Sequence, residues 1–234
     1  MQKLKELSLF LPAYNEEGNL RQTVEKSIPP LKAAAEKYEI LIIDDGSKDK
    51  TGEIADDLAK KYKFVHVIHH HPNRGYGGAM QSGWYNSRYE WIAFIDADGQ
   101  FDFSEIANFI EKQRETGADL VIGYYLKRAV SRMTIFSSKV WEFLVWLFFG
   151  LKVTDIDCGF KLVHRRVIQT IPRLESERGP FITSELLIKA KKFGFKIAEV
   201  GVHHYPRQAG EATGRSLKVI LSGFRDLFRL RCKI

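Results

Sequence analysis

Two aspartates set two residues apart close an apolar run. In Trp91–Asp102, WIAFIDADGQFD, Asp96 and Asp98 follow the strand-like stretch Trp91–Ile95, and Gln100 stands just beyond. Side chains at i and i+2 of an extended segment point the same way, so both carboxylates can address one point in space. Like charges held together repel unless a cation sits between them. An oxygen-only pair suits Mg2+ or Mn2+, with water and substrate phosphates filling the remaining positions. A polar turn after a strand competes with this for an isolated Asp-x-Asp, so the surroundings decide.

The elements that must hold this pair repeat one pattern. Leu7–Leu11 reads as a short strand ending at Pro12, and Asn15 as the N-cap of a helix from Glu17 to Ser27 that Pro29-Pro30 stops. A second helix, Leu31–Lys37, precedes a strand at Glu39–Ile43 that closes in Asp44-Asp45-Gly46-Ser47. A helix from Thr51 to Tyr62 and a strand at Phe64–His69 follow. A helix opened by Gly75, Gly77 and Gly78 then runs to Ser87 and leads to the aspartate-bearing strand. Strand–helix alternation implies a mostly parallel sheet flanked by helices. Right-handed crossovers bring the strand ends to one edge, where open α/β sheets bind ligands. Tyr14, Glu16, Asp44, Asp45, Arg74, Asp96 and Asp98 should therefore converge.

The second half changes character. After a helix at Phe103–Glu115 and a strand at Asp119–Gly123, the cations Lys127, Arg128 and Arg132 precede the nearly uninterrupted apolar stretch Phe136–Leu151. That stretch falls short of the roughly 20 apolar residues of a membrane span; it reads as a core helix or as a segment dipping into a lipid interface. Asp155–Phe160 is a loop, and ordered structure resumes over Lys161–Ile168. Ser184–Phe193 reads as a helix, Lys196–Val202 as a strand ending in His203–Arg207, and Gln208–Gly214 as a polar, mobile segment. In Leu217–Leu230, Leu217, Ile220, Leu221, Phe224, Leu227 and Phe228 share one face, while Lys218, Arg225, Arg229 and Arg231 take the other. Such a basic amphipathic helix either packs on its own domain or lies on a membrane surface.

With 234 residues, 44% of them hydrophobic, the chain can bury a substantial core, which excludes a disordered protein. Cys158 and Cys232 lie far apart without metal-type spacing, as expected in a reducing compartment. Met1–Glu6 leads directly into a strand, with no secretory signal. The net charge of +7 suits nucleic acid, anionic lipid or phosphorylated ligands. Its grouping beside apolar stretches disfavours nucleic acid. A cytoplasmic protein, peripheral on the cytoplasmic face of a membrane, is the resulting expectation.

PAYNEE at Pro12–Glu17, IIDDGSKD at Ile42–Asp49, NRGYGGA at Asn73–Ala79, FIDADGQ at Phe94–Gln100, DCGFKL at Asp157–Leu162 and HHYPR at His203–Arg207 stand in register along nearly the whole chain. In these motifs the chain resembles the inverting family 2 glycosyltransferases of GT-A fold. Within them it is similar to the branch that makes polyprenyl- or dolichyl-phosphate sugars. The resemblance implies one GT-A domain with a Rossmann-like, mostly parallel central sheet: a nucleotide-sugar half (1–123), an acceptor-side half (124–215) and a basic tail helix (216–234).

It further implies that Pro12, Tyr14, Glu16, Asp44 and Asp45 line the nucleoside pocket with Arg74 nearby. Asp96 would contact the ribose or metal region, and Asp98 and Gln100 would hold Mg2+ or Mn2+ on the diphosphate. Asp155 fits the family's loop acid, making Asp98, Asp155 and Arg207 the catalytic candidates. Lys127, Arg128 and Arg132 are placed to position an acceptor phosphate, and Arg207 to serve either that phosphate or the diphosphate. The processive Gln-x-x-Arg-Trp motif does not occur, which argues against a polymerising enzyme. The run His69-His70-His71 reads as structural, and a separate membrane-anchoring protein is a possible partner. Rival readings are a soluble family 2 enzyme acting on a hydroxyl, with Glu185 as general base, and a non-catalytic nucleotide-sugar-binding or membrane-docking module.

Overall fold

Pro12 lies inside the first strand rather than after it. β1 (Leu4–Ala13) pairs in parallel with β2 (Ala35–Asp44) and with β4 (Trp91–Phe94) in the computed structural model. The Phe10 carbonyl accepts from Ile95 N–H, and β4 has ended before Pro12, so its missing N–H leaves no ladder bond broken on that side. The structure describes residues 2–127, 132–207 and 217–233, and for 132–137, 217–222 and 224 the backbone alone. Arg128, the Arg132 side chain and the Gln208–Gly214 segment therefore lie outside the described residues.

The first helix departs from expectation. α1 (Leu20–Ala34) runs through Pro29 and Pro30 and passes directly into β2, so no second helix forms over Leu31–Lys37. The carbonyls the prolines cannot serve, on Glu25 and Lys26, belong to partly or fully exposed residues that water can reach. Ile28, Leu31 and Ala34 meanwhile stay buried and hold the last turn to the sheet. α2 (Thr51–Lys61), β3 (Val65–His69) and α3 (Tyr76–Asn86) follow as read.

Among the described residues the sheet has seven strands in the order β3-β2-β1-β4-β6-β5-β7, with β5 (Leu120–Lys127), β6 (Lys161–His164) and β7 (Ile197–His203). β6 runs antiparallel to both its neighbours, while β5 and β7 are parallel. A 3-10 turn and α4 (Ile106–Thr116) connect β4 to β5; α5 (Arg132–Phe149), α6 (Arg165–Thr170), α7 (Phe181–Lys192) and α8 (Leu217–Lys233) complete the chain. Alternation along β1 divides the core. Leu7, Leu9 and Leu11 face α1, α2 and α4, whereas Phe10 faces Trp84, Phe94 and the α7 side.

α5 is half core, half surface. Val145 is fully buried and Trp141 packs on Phe181, but Val140, Phe143, Trp146 and Leu147 remain 41–56% exposed. On α8, Leu227 and Leu230 are buried while Phe228 is exposed against Phe148. Among the described residues no helix is long and apolar enough to cross a membrane.

Candidate active site

Strand order reverses direction between β1 and β4, and the loops leaving β1, β2 and β4 open there into a cleft of about 460 Å³. Asn15 does not cap a helix. Its backbone is left-handed (φ 55°), its N–H donates to Ser47 Oγ at 3.0 Å, and its Oδ1 accepts from Lys48 N–H at 2.8 Å. These bonds, with Glu16 N–H donating to Thr51 Oγ1 at 2.7 Å, tie the β1 loop to the β2 loop.

The adjacent acids at the end of β2 divide their work, as alternation requires. Asp44 accepts from Ser47 N–H at 3.0 Å and meets His69 Nδ1 at 2.9 Å, behind the cleft. Asp45 lines the cleft and accepts from Arg74 N–H (2.9 Å) and Gly75 N–H (2.8 Å), with His70 Nδ1 2.6 Å away. Thus it clamps the glycine-rich loop before α3. Gly77 is required there: a Cβ would lie 2.2 Å from the Ser176 carbonyl oxygen.

Asp96 and Asp98 both reach the cleft. Burial, then the charge of Asp98, pushes the Asp96 carboxyl up to about 7, and Tyr76 Oη donates to its Oδ1 at 3.2 Å. Gly159 makes room for it, since a Cβ there would fall 2.2 Å from Asp96 Oδ2. Asp98 Oδ1 accepts from Gln100 N–H at 3.0 Å, and its Oδ2 from Arg207 Nη2 at 2.8 Å. Arg207 Nη1 donates to Glu16 Oε1, also at 2.8 Å. Burial raises the Glu16 carboxyl despite that partner.

Of the expected residues, Pro12, Tyr14, Glu16, Asp45, Asp96, Asp98 and Arg207 line the cleft together. Asp44, Arg74, Gln100, Asp155 and Lys127 are not part of its wall. Arg74 Nη2 pairs with Glu177 Oε1 at 3.1 Å, and the Gln100 amide donates to the Tyr205 carbonyl at 2.8 Å. Asp155 is buried and accepts from Asp157 N–H at 3.0 Å, leaving Asp157 to line the cleft. Lys127 is exposed at the end of β5, in register with His203.

Glu185, the general base of the hydroxyl-acceptor reading, lies on α7 outside the cleft wall. It is 2% exposed, accepts from Glu175 N–H and Ser176 N–H at 2.9 Å, and pairs with Lys189 Nζ at 2.6 Å. Its carboxylate is thereby committed to holding the 174–178 loop.

Sequence reasoning missed Tyr76, Asp157, Arg178 and Thr183 of the cleft wall, and the buried Lys161 beneath it. Lys161 Nζ donates to the Ile156 carbonyl at 3.1 Å and to that of Cys158, fixing the turn that carries Asp157 and Gly159. The period-two spacing of Asp155 and Asp157 was the available signal. Nothing in the local sequence marks Arg178 or Thr183.

The acids fit a hard divalent cation. Among the described residues no group of three or more His, Cys, Asp or Glu converges on a point, so the chain offers an oxygen pair and not a closed cage. Such a site suits Mg2+ or Mn2+ that keeps water and phosphate ligands.

An open α/β sheet with an acid-lined cleft at its switch point is the GT-A arrangement. The fold matches glucosyl-3-phosphoglycerate synthase from Mycobacterium tuberculosis, solved with Mn2+, UDP and glucosyl-3-phosphoglycerate, with a TM-score of 0.72 at 21% identity, covering 98% of this chain and 81% of that one. Residues 8–171 match the family model for Glycosyl transferase family 2, and the chain belongs to that family of glycosyltransferases. It is 32% identical to the dolichyl-phosphate beta-glucosyltransferase ALG5A of Trichomonas vaginalis, over 91% of this chain and 68% of that protein. It is likewise 32% identical to the human dolichyl-phosphate beta-glucosyltransferase, over 85% of this chain and 67% of that one. The undecaprenyl-phosphate 4-deoxy-4-formamido-L-arabinose transferase of Shewanella sediminis is 31% identical over 90% of this chain and 62% of its own length.

Proposed function

We propose that the protein transfers a hexose, with inversion, from a UDP- or GDP-sugar to a polyprenyl or dolichyl phosphate. The observation that carries this reading is the meeting of Asp96, Asp98 and Arg207 in one cleft with Tyr14 and Asp45. The names of the 31–32% identical relatives support the acceptor class.

Pro12 and Tyr14 flank the nucleoside, and Asp45 holds the Arg74–Gly75 backbone against it. Asp96 and Asp98 would hold Mg2+ or Mn2+. Bound there, the ion supplies neutralisation of the charge that develops on the departing diphosphate. Arg207 offers that diphosphate a planar guanidinium fork. A phosphate acceptor has a second pKa of about 6 and is already an anionic nucleophile at neutral pH. The chain then needs cations to position it more than a base to activate it. Lys127, Arg128 and Arg132 are the proposed positioning group, and Asp155 acts by shaping the loop that presents Asp157.

Work at a membrane surface is part of the same proposal, on the cytoplasmic face. Val140, Phe143, Trp146 and Leu147 are exposed on α5, which meets α8 through Phe148 and Phe228, and α8 also exposes Arg225, Arg229 and Arg231. Apolar contact flanked by basic residues is the composition of an interfacial surface. The test is a screen of UDP- and GDP-sugars against a short polyprenyl phosphate, with and without Mn2+. A lipid-linked product that needs the metal is expected. Transfer only to hydroxyl acceptors, or donor binding without product, would reject the reading.

A further inference from the structure

The segment leaving β7 is strapped to the turn after β4 and reaches the cleft at Arg207. Tyr205 N–H donates to the Gln100 carbonyl at 2.9 Å, and the Gln100 side-chain amide donates back to the Tyr205 carbonyl at 2.8 Å. This reciprocal pair fixes the strap against the turn that carries Asp98, and two residues later it delivers Arg207. The guanidinium then bridges Glu16 and Asp98 with both contacts at 2.8 Å. The second oxygen of each acid is also engaged: Glu16 Oε2 by Asn19 Nδ2 at 2.7 Å, and Asp98 Oδ1 by Gln100 N–H at 3.0 Å. Side-chain exposure is 23% for Arg207, 11% for Glu16 and 10% for Asp98, so solvent screens this bridge far less than a surface ion pair.

We propose that Arg207 is the resident counter-cation of the metal site, making metal binding conditional on a diphosphate. The inference rests on the donor-site reading above and adds an order of events to it. A divalent ion arriving alone must take Asp98 Oδ2 from the guanidinium and leave that charge with one acid in place of two. Arginine cannot resolve the conflict by losing a proton. An ion arriving with a nucleoside diphosphate brings phosphate oxygens that fit the same fork, so Arg207 exchanges its Asp98 contact for a phosphate one. Metal and diphosphate therefore bind with positive coupling, and by linkage each tightens the other by the same factor. Gln100 acts in this scheme as a positioning residue through the strap.

The test measures Mn2+ affinity of the full chain by the loss of the free-ion paramagnetic resonance signal, with and without UDP. Wild type, Arg207→Gln and Arg207→Lys are compared, with thermal melts confirming that each is folded. Arg207→Gln is expected to bind Mn2+ alone about fivefold or more tightly than wild type, and to gain less from UDP than wild type does, the remaining gain coming from the phosphate oxygens' own bonds to the ion. Arg207→Lys keeps the charge without the fork and is expected to fall between. If wild type binds Mn2+ with UDP but Arg207→Gln binds the ion alone no better than wild type, the counter-cation role is wrong while the donor site stands. If wild type takes up no Mn2+ even with UDP, the donor-site reading fails and this inference with it.

Discussion

Asp98 is the residue on which the site turns, because its oxygens meet both the strap arginine and the backbone of its own turn. Asp98→Asn keeps the shape and removes the charge. It is expected to lower kcat/KM for sugar transfer by about 10²–10³-fold, read by steady-state kinetics with saturating Mn2+. The His69–Asp44 pair gives a pH signature. The hydrogen bond to Asp44 is the main reason the imidazole is raised above its usual value, and Asp44, although burial raises it, is left lowered by bonds from Ser47 and His69. The histidine's contribution is full below about 6.5 and lost as pH rises through its folded value; the aspartate's is full above about 3.9 and lost on acidification. The stability gap between wild type and His69→Ala should therefore be widest at pH 4–6.5 in urea melts. A gap growing toward pH 8 would contradict it. Asp96, Asp98, Tyr14 and Glu16 were legible because strand ends and period two are written locally. The choice of Asp45 over Asp44, or of Asp157 over Asp155, was not: neighbouring acids are chemically alike and only the pleat and the loop separate them. The Arg74–Glu177 pair joins residues 103 positions apart, beyond any local signal.

At the scale of the element, α7 shows why a local reading stops short. Glu185 carries no local sign of burial, yet α8 packs against α7 and the carboxylate is the buried anchor of the 174–178 loop. Glu185→Gln should act through stability, costing about 3 kcal/mol or more by stranding Lys189, with a matching fall in the urea midpoint. Loss of transfer at unchanged stability and donor affinity would instead make it the base of a hydroxyl-acceptor enzyme. The α1 prolines carry the same lesson: the sequence shows two helix breakers, but not that the carbonyls they deprive face water. Strand–helix alternation in the first half was readable because each element repeats its own period. The antiparallel β6 was not, because its direction is set by partners on β4 and β5.

For the whole molecule, the proposed function couples the donor cleft to a lipid contact at the exposed apolar face of α5. Trp146→Glu with Leu147→Glu places charge on the exposed face of α5 without touching the cleft. It should reduce sedimentation with anionic vesicles by about tenfold or more while leaving UDP affinity unchanged. Equal vesicle binding would remove α5 from the lipid contact. The central claim is that a nucleotide sugar held at Asp96 and Asp98 gives its hexose to a lipid phosphate. Its most direct test is the recovery of radiolabelled sugar in the organic phase after incubation with a short polyprenyl phosphate and Mn2+. Label that appears there with wild type and is abolished by chelation or by Asp98→Asn is the predicted result. Label that stays in the water-soluble fraction for every UDP- and GDP-sugar, or that reaches the lipid regardless of Asp98, would contradict it.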